Sequence, residues 1–125
     1  MAITSFNEYQ REAMKFKFSL NKFNTLHPNL SEDVKLLLAV AYDGLGLGEA
    51  GEVQGKIKKI IRDNGGIITD EAKMDIMKEL GDTLFYIASM CDDLDVTLCD
   101  VADLNLKKIN DRKQRNVLEG SGDNR

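Results

Sequence analysis

The stretch GLGLGEAGEVQGK, residues 44–56, sets five glycines into a region whose flanks read as helix. Two readings compete for it. Gly46-Leu47-Gly48-Glu49-Ala50-Gly51 matches G-x-G-x-x-G, the fingerprint of a dinucleotide-binding turn, and Asp70 and Glu71 follow about twenty residues on, where a ribose-binding acid belongs. That reading requires a strand before the glycines and a βαβ unit around them. VKLLLAVAY, residues 34–42, could stand alone as a short buried strand, but nothing else in the chain supplies the second and third strands of a parallel sheet. A P-loop fails too: Gly51 and Gly55 are one residue too close, and Ile57 follows Lys56 where Ser or Thr is required.

Read as helix, at about 100° per residue, the same stretch is orderly. Gly44, Gly48, Gly51 and Gly55 fall on one narrow stripe, Glu49, Glu52, Lys56 and Lys59 on the next, and Val53, Ile57 and Ile60 on the far side of the acids. The glycines leave low relief where another helix or a ligand can approach, a use that offsets roughly 1 kcal/mol per glycine relative to alanine. The alternative is a break between two shorter helices, centred on Gly44 to Gly48.

Working outward, four helical segments are expected. The first starts at Ser5, with Glu8 completing a capping box; Phe6, Tyr9, Ala13, Phe16, Leu20 and Phe23 recur at helical spacing, and His27-Pro28-Asn29 ends it. The second runs from Ser31 to about Asp63, closed by Asn64-Gly65-Gly66. The third runs from Thr69 or Asp70 to Leu94, with Ile76, Leu80, Leu84, Ile87 and Cys91 as its apolar face. The fourth starts at Thr97, with Asp100 as capping partner and Val96 and Val101 spaced for a hydrophobic staple, and ends near Asn116 before the tail VLEGSGDNR. No strand alternation or repeat appears, so the expected fold class is all-α, a four-helix-bundle-like single domain over residues 1–125, with the tail 117–125 either flexible or part of the site.

Composition narrows the function classes. The chain is 42% hydrophobic and 30% charged, as a globular domain is, and its net charge of −4 argues against binding a nucleic acid polymer. Cys91 and Cys99, with His27 far from both, make no zinc ligand set, and reduced cysteines suit the cytoplasm. The N-terminus has no apolar signal core, and no run is long enough for a membrane span.

The chemistry lies in two acid pairs. Glu49-x-x-Glu52 is matched by Glu79-x-x-Asp82, each pair at i, i+3 on one helix face and bordering its apolar stripe. Two such pairs meeting across a helix interface repel unless a cation joins them. Mg²⁺ suits the task, because it takes oxygen ligands and bridges carboxylates to phosphates. The plainer reading pairs Glu52 with Lys56 on a solvated face. On the fourth segment Asn105, Lys108, Arg112 and Arg115 share one arc, donors that suit a polyphosphate or else simply face water at a helix end.

These residues resemble the MazG-like all-α nucleoside triphosphate pyrophosphohydrolases. The likeness covers most of the chain, through LGLGEAGEVQGKIKKIIRDNGG (45–66) and KELGDTLFYIASMCDDLDVTLCDVADLNLKKINDRKQRNVLEGSGDNR (78–125). It is to the short single-domain members, often viral or bacterial, and it is weakest over the first segment. The resemblance implies hydrolysis of an NTP or dNTP to the monophosphate and pyrophosphate. It implies Glu49, Glu52, Glu79 and Asp82 as ligands of Mg²⁺, with Mn²⁺ able to substitute, and Glu49 or Glu52 as the base acting on water. Lys56, Lys59, Asn105, Lys108 and Arg112 would then bind substrate phosphates. It further implies a homodimer or homotetramer in the cytoplasm (the host's, for a viral member) with no membrane partner. Related members act on dUTP, dCTP or phosphoribosyl-ATP, and a non-catalytic nucleotide sensor is the reading from another class. Tyr9, Phe6 and Phe16 are candidates to stack a base.

Overall fold

The computed structural model describes residues 2–17 and 19–122, and the backbone alone for 19–22. The side chain of Leu20, expected in the first apolar stripe, and the tail residues 123–125 lie outside the described residues. Among the described residues all regular structure is helical: α1 (Phe6–Ala13), α2 (Ser19–Leu26), α3 (Glu32–Gly46), α4 (Ala50–Asp63), α5 (Asp70–Asp93) and α6 (Leu98–Gln114). The all-α class is as expected; the segment count is not, because two expected helices are each divided.

The first division falls at Lys17. After α1 the chain tightens into a 3₁₀ turn over Met14–Phe16, and Lys17 is extended (φ −68°, ψ 132°) before α2 begins. Apolar spacing continued across this point, but the extended backbone sends Lys17 inward to a buried polar cluster. Its ammonium donates to the Ser89 carbonyl (3.2 Å), to Asp92 Oδ2 (2.9 Å) and to Asp93 Oδ1. Ser89 Oγ donates to Asp43 Oδ2 at 2.6 Å, and Asp43, Ser89 and Asp93 are all buried. Burial, and then the Asp43 carboxyl facing it, push the Asp93 carboxyl up to about 6, against the pull of Lys17. Burial alone would lower the Lys17 ammonium, but its bonds to Asp93 and Asp92 outweigh that and raise it.

The second division is the 3₁₀ turn Leu47–Glu49 between α3 and α4. Gly46, Leu47, Glu49 and Ala50 all keep right-handed helical dihedrals, so the chain tightens there without reversing. The single helix expected from Ser31 to Asp63 is therefore two, joined at the glycines where a break was the alternative.

Caps behave as the side chains dictate. Ser31 and Thr69 accept from the amides of Val34 and Ala72, and Thr97 with Asp100 closes a full capping box. At α1 only half of the expected box forms: Ser5 Oγ accepts from the Glu8 amide, but the Glu8 carboxylate takes the Thr4 amide and hydroxyl instead of the Ser5 amide. α5 and α6 end with Asp95 and Asn116 in the left-handed region (φ 54° and 55°), with Val96 N–H on the Cys91 carbonyl and Val117 N–H on the Arg112 carbonyl.

α5 is the spine. It packs against α1, α3, α4, α6 and both 3₁₀ turns, while α2 packs on α3. Gln10 joins α1 to the α5–α6 turn, its amide donating to the Val96 carbonyl (3.1 Å) and accepting from the Leu98 amide (2.7 Å). The buried apolar side chains are few and mostly small, Ala13, Ala39, Ala88, Cys91 and Leu98 among those described. Phe16, expected inward, is 76% exposed, and Leu80 on the expected α5 face is 52% exposed.

Candidate metal centre

Three of the four expected acids converge. Glu49 comes from the 3₁₀ turn; Glu79 and Asp82 stand one turn apart on α5. Each offers a carboxylate oxygen, and the three oxygens lie within 4.8 Å of one another. The turn delivers Glu49 because α5 packs closely against residues 47–49. Glu52, one turn further along in the first turn of α4, is exposed and outside this group.

The donor set fits a hard divalent ion. Three carboxylates at this spacing carry up to three like charges with no protein cation able to neutralise them all, and oxygen ligands are what Mg²⁺ and Mn²⁺ take. Lys56 Nζ lies 3.4 Å from Glu79 Oε1, on the edge of the group. The Glu79 side chain is 18% exposed, so its charge is partly shielded from water. Thr83 Oγ1 donates to the Glu79 carbonyl (3.1 Å), occupying that hydroxyl within α5.

Two hollows flank the acids. Lys56, Lys59, Ile60, Ala72 and Asp75 line one of about 230 Å³ between α4 and α5. Ile3, Thr4, Ser5, Phe6, Tyr9 and Leu84 line an open, largely apolar one of about 550 Å³. Tyr9 ties the second hollow to the acids: burial raises its phenol, and the charge of Asp82 raises it further. Of the aromatic candidates, Phe6 and Tyr9 line this hollow and Phe16 does not.

The basic arc of α6 is placed differently. α6 packs on α1 and α5, and among the described residues makes no helix contact with α4 or the 47–49 turn. Asn105 and Lys108 are exposed. Arg112 is buried (8% exposed), and its Nη2 donates to the Gly122 carbonyl of the tail at 3.3 Å. The structure therefore brings Lys56 to the acids and Lys59 beside Lys56, and leaves the α6 arc outside the group within one chain.

The polar cluster of Lys17, Asp43, Ser89 and Asp93 was not singled out from the sequence, nor was Tyr86. A signal existed for Asp43: Lys35, Ala39 and Asp43 recur at i, i+4, i+8, and all three are buried on α3. A buried charge requires a partner: Asp43 has Ser89 inside, and Lys35 reaches out to the exposed Glu32 (2.6 Å).

The comparisons with known proteins point to one family. The profile of the MazG nucleotide pyrophosphohydrolase domain matches residues 45–117, spanning all four acids and the α6 arc. The "Gene 37 protein" of Mycobacterium phage L5 is 47% identical over 94 residues, covering 74% of this chain and 82% of that protein. No solved structure gives a significant match. Among the described residues no helix is long and apolar enough to cross a membrane. MazG enzymes generally depend on a divalent metal, and the acid group on α5 and the 47–49 turn could hold one. With a domain match over more than half its length and a close phage relative, the chain belongs to the MazG nucleotide pyrophosphohydrolase family.

Proposed function

We propose that the protein is a Mg²⁺-dependent pyrophosphohydrolase that converts a nucleoside or deoxynucleoside triphosphate and water to the monophosphate and pyrophosphate. The convergence of Glu49, Glu79 and Asp82 beside Lys56 carries this reading. These three residues would hold the ion, with Mn²⁺ able to substitute. When bound there, the metal supplies a Lewis acid that neutralises phosphate charge and lowers the pKa of water.

The chain's own residues divide the remaining work. Glu52 is outside the carboxylate group and exposed, so it is the acid left to take a proton from water. The water oxygen bonds to the α-phosphorus, the α–β anhydride bond breaks with its electrons on pyrophosphate, and the proton passes to Glu52. Lys56 and Lys59, which line one hollow, would grip the leaving phosphates and offset their growing charge. The nucleoside end would lie in the hollow lined by Phe6, Tyr9 and Leu84, next to Asp82.

Homo-oligomerisation belongs to the same proposal. The chain exposes 9118 Å², whereas a folded monomer of its mass exposes about 6,700 Å². Leu37, Leu45, Leu104 and Leu106 are each more than 60% exposed. A second copy covering these side chains could bring its exposed Asn105 and Lys108 to a neighbour's phosphates. A cytoplasmic location suits a nucleotide substrate.

The deciding experiment is pyrophosphate release from each NTP and dNTP, with Mg²⁺ and with chelator. Metal-dependent release is expected. Nucleotide binding with no release from any of them would instead identify a sensor.

A further inference from the structure

Gly46 has ordinary helical dihedrals (φ −60°, ψ −27°), so its backbone conformation does not require glycine. Its space does. A Cβ there would stand 2.2 to 2.5 Å from Cδ1, Cε1 and Cγ of Tyr86, deep inside van der Waals contact. At Gly44, Gly48, Gly51 and Gly55 a Cβ would meet nothing within 4 Å. Of the five glycines in the stretch, one alone is sterically obligatory, and it is the one on which a ring rests.

That ring is hemmed in. Phe85 meets it edge-on, with centroids 5.5 Å apart and planes at 87°. Tyr86 stands four residues after Asp82 on α5, on the same helix face. Gly46 stands three residues before Glu49. Burial raises the Tyr86 phenol, as do in turn the charges of Tyr42, Glu49, Asp43 and Asp82 around it. Glu79 and Asp82 are fixed relative to each other by one helix, whereas Glu49 is delivered by a separate segment. Three residues before Glu49, the ring of Tyr86 on α5 meets the bare backbone of that segment.

We propose that Tyr86 is a positioning residue for the metal centre: seated on Gly46, its ring fixes how closely the 47–49 turn approaches α5 and so places Glu49 against Glu79 and Asp82. A methyl group at residue 46 must move the turn or the ring by roughly 1 Å, whereas metal–ligand distances tolerate about 0.2 Å. The inference rests on the metal-dependent reading above.

The test is Mn²⁺ titration followed by electron paramagnetic resonance, without nucleotide, with circular dichroism to check folding. Gly46→Ala is expected to weaken Mn²⁺ binding roughly tenfold or more, the scale of losses when a ligand's support is removed. Gly44→Ala and Tyr86→Phe, the latter keeping the ring, should stay within about twofold of wild type. Tyr86→Leu should weaken binding, and in that background Gly46→Ala should add little, because the clash has gone. Asp82→Asn is the reference. If it loses Mn²⁺ while Gly46→Ala binds like Gly44→Ala, the positioning role is overturned and the metal centre stands. If Asp82→Asn binds Mn²⁺ like wild type, the metal centre itself is overturned. Should Gly46→Ala fail to fold, Tyr86→Leu decides: binding equal to Tyr86→Phe overturns the proposal.

Discussion

Lys56 and Glu79 form an ion pair, Nζ to Oε1 3.4 Å, at the edge of a carboxylate group that has more negative charge than one lysine can balance. A metal ion entering the group competes with that ammonium for Glu79. Lys56→Met is therefore expected to leave Mn²⁺ binding unchanged or a few-fold tighter without nucleotide, and to raise the KM for nucleotide. Calorimetric metal titration beside steady-state kinetics checks both. Weaker metal binding in Lys56→Met would show that the lysine supports the acids instead of contesting them.

Removal of one acid should separate repulsion from ligation. In chelator, Asp82→Asn is expected to melt at or above the wild-type temperature, because one of three crowded charges has gone. With saturating Mg²⁺ the order should reverse: a ligand at a hundredfold excess over its dissociation constant stabilises wild type by about 2.7 kcal/mol. Turnover of the variant should fall to a small fraction of wild type. Scanning calorimetry with and without Mg²⁺ gives the first two comparisons.

The Asp93 carboxyl imposes a pH dependence of uncommon sign. Its ordinary value is 3.8 and the fold raises it to about 6. Between those values the folded chain holds a proton that the unfolded chain has lost, so stability falls as pH rises through that window and levels off above it. Asp63, Asp100 and Asp111 are lowered by their hydrogen bonds from 3.8, so their contributions are lost below the window, and that of Glu8, lowered from 4.5, is lost below pH 4.5. Melting temperatures of wild type and Asp93→Asn between pH 4.5 and 7 should therefore diverge, wild type declining more steeply. Parallel curves would show that the Asp93 carboxyl does not take up the proton in this window.

Arg112 has a structural task that can be weighed. Its guanidinium is buried and donates to the Gly122 carbonyl. Arg112→Ala is expected to cost about 1.5–3 kcal/mol, the range for a hydrogen bond to a charged group, and to make the tail after Asn116 more sensitive to protease. The exposed Lys113, replaced by alanine, should change stability by no more than about 0.5 kcal/mol. Chemical denaturation of the two variants measures the difference. A KM raised in Arg112→Ala and not in Lys113→Ala would show that the guanidinium also serves substrate binding.

Much of the fold was legible because helices announce their ends. Ser31, Thr69 and Thr97 mark N-termini where they were expected, and Asn64-Gly65-Gly66 marks a C-terminus. The interruptions at Lys17 and at 47–49 were less legible, since both preserve or resume helical spacing. Lys17 leaves the helix for partners 72 to 76 residues away, which local pattern cannot foresee. The acids were legible as pairs by their i, i+3 spacing. Their separation into Glu49 inside the group and Glu52 outside it depends on where the 3₁₀ turn ends. The α6 arc was readable as a stripe, but periodicity does not say against which helix a stripe will lie.

The scarcity of buried apolar side chains has a thermodynamic consequence. Ordering this backbone costs on the order of 1–2 kcal/mol per residue, and among the described residues the single chain buries three alanines, one cysteine and one leucine as its apolar core. In the proposed assembly, surface covered by another copy supplies part of the compensating free energy, and folding and association become one linked equilibrium. On that proposal the transition midpoint is expected to rise with chain concentration, and a variant that only weakens the contact between copies would register as a folding defect in dilute solution. Denaturation series at two concentrations at least tenfold apart would resolve the two.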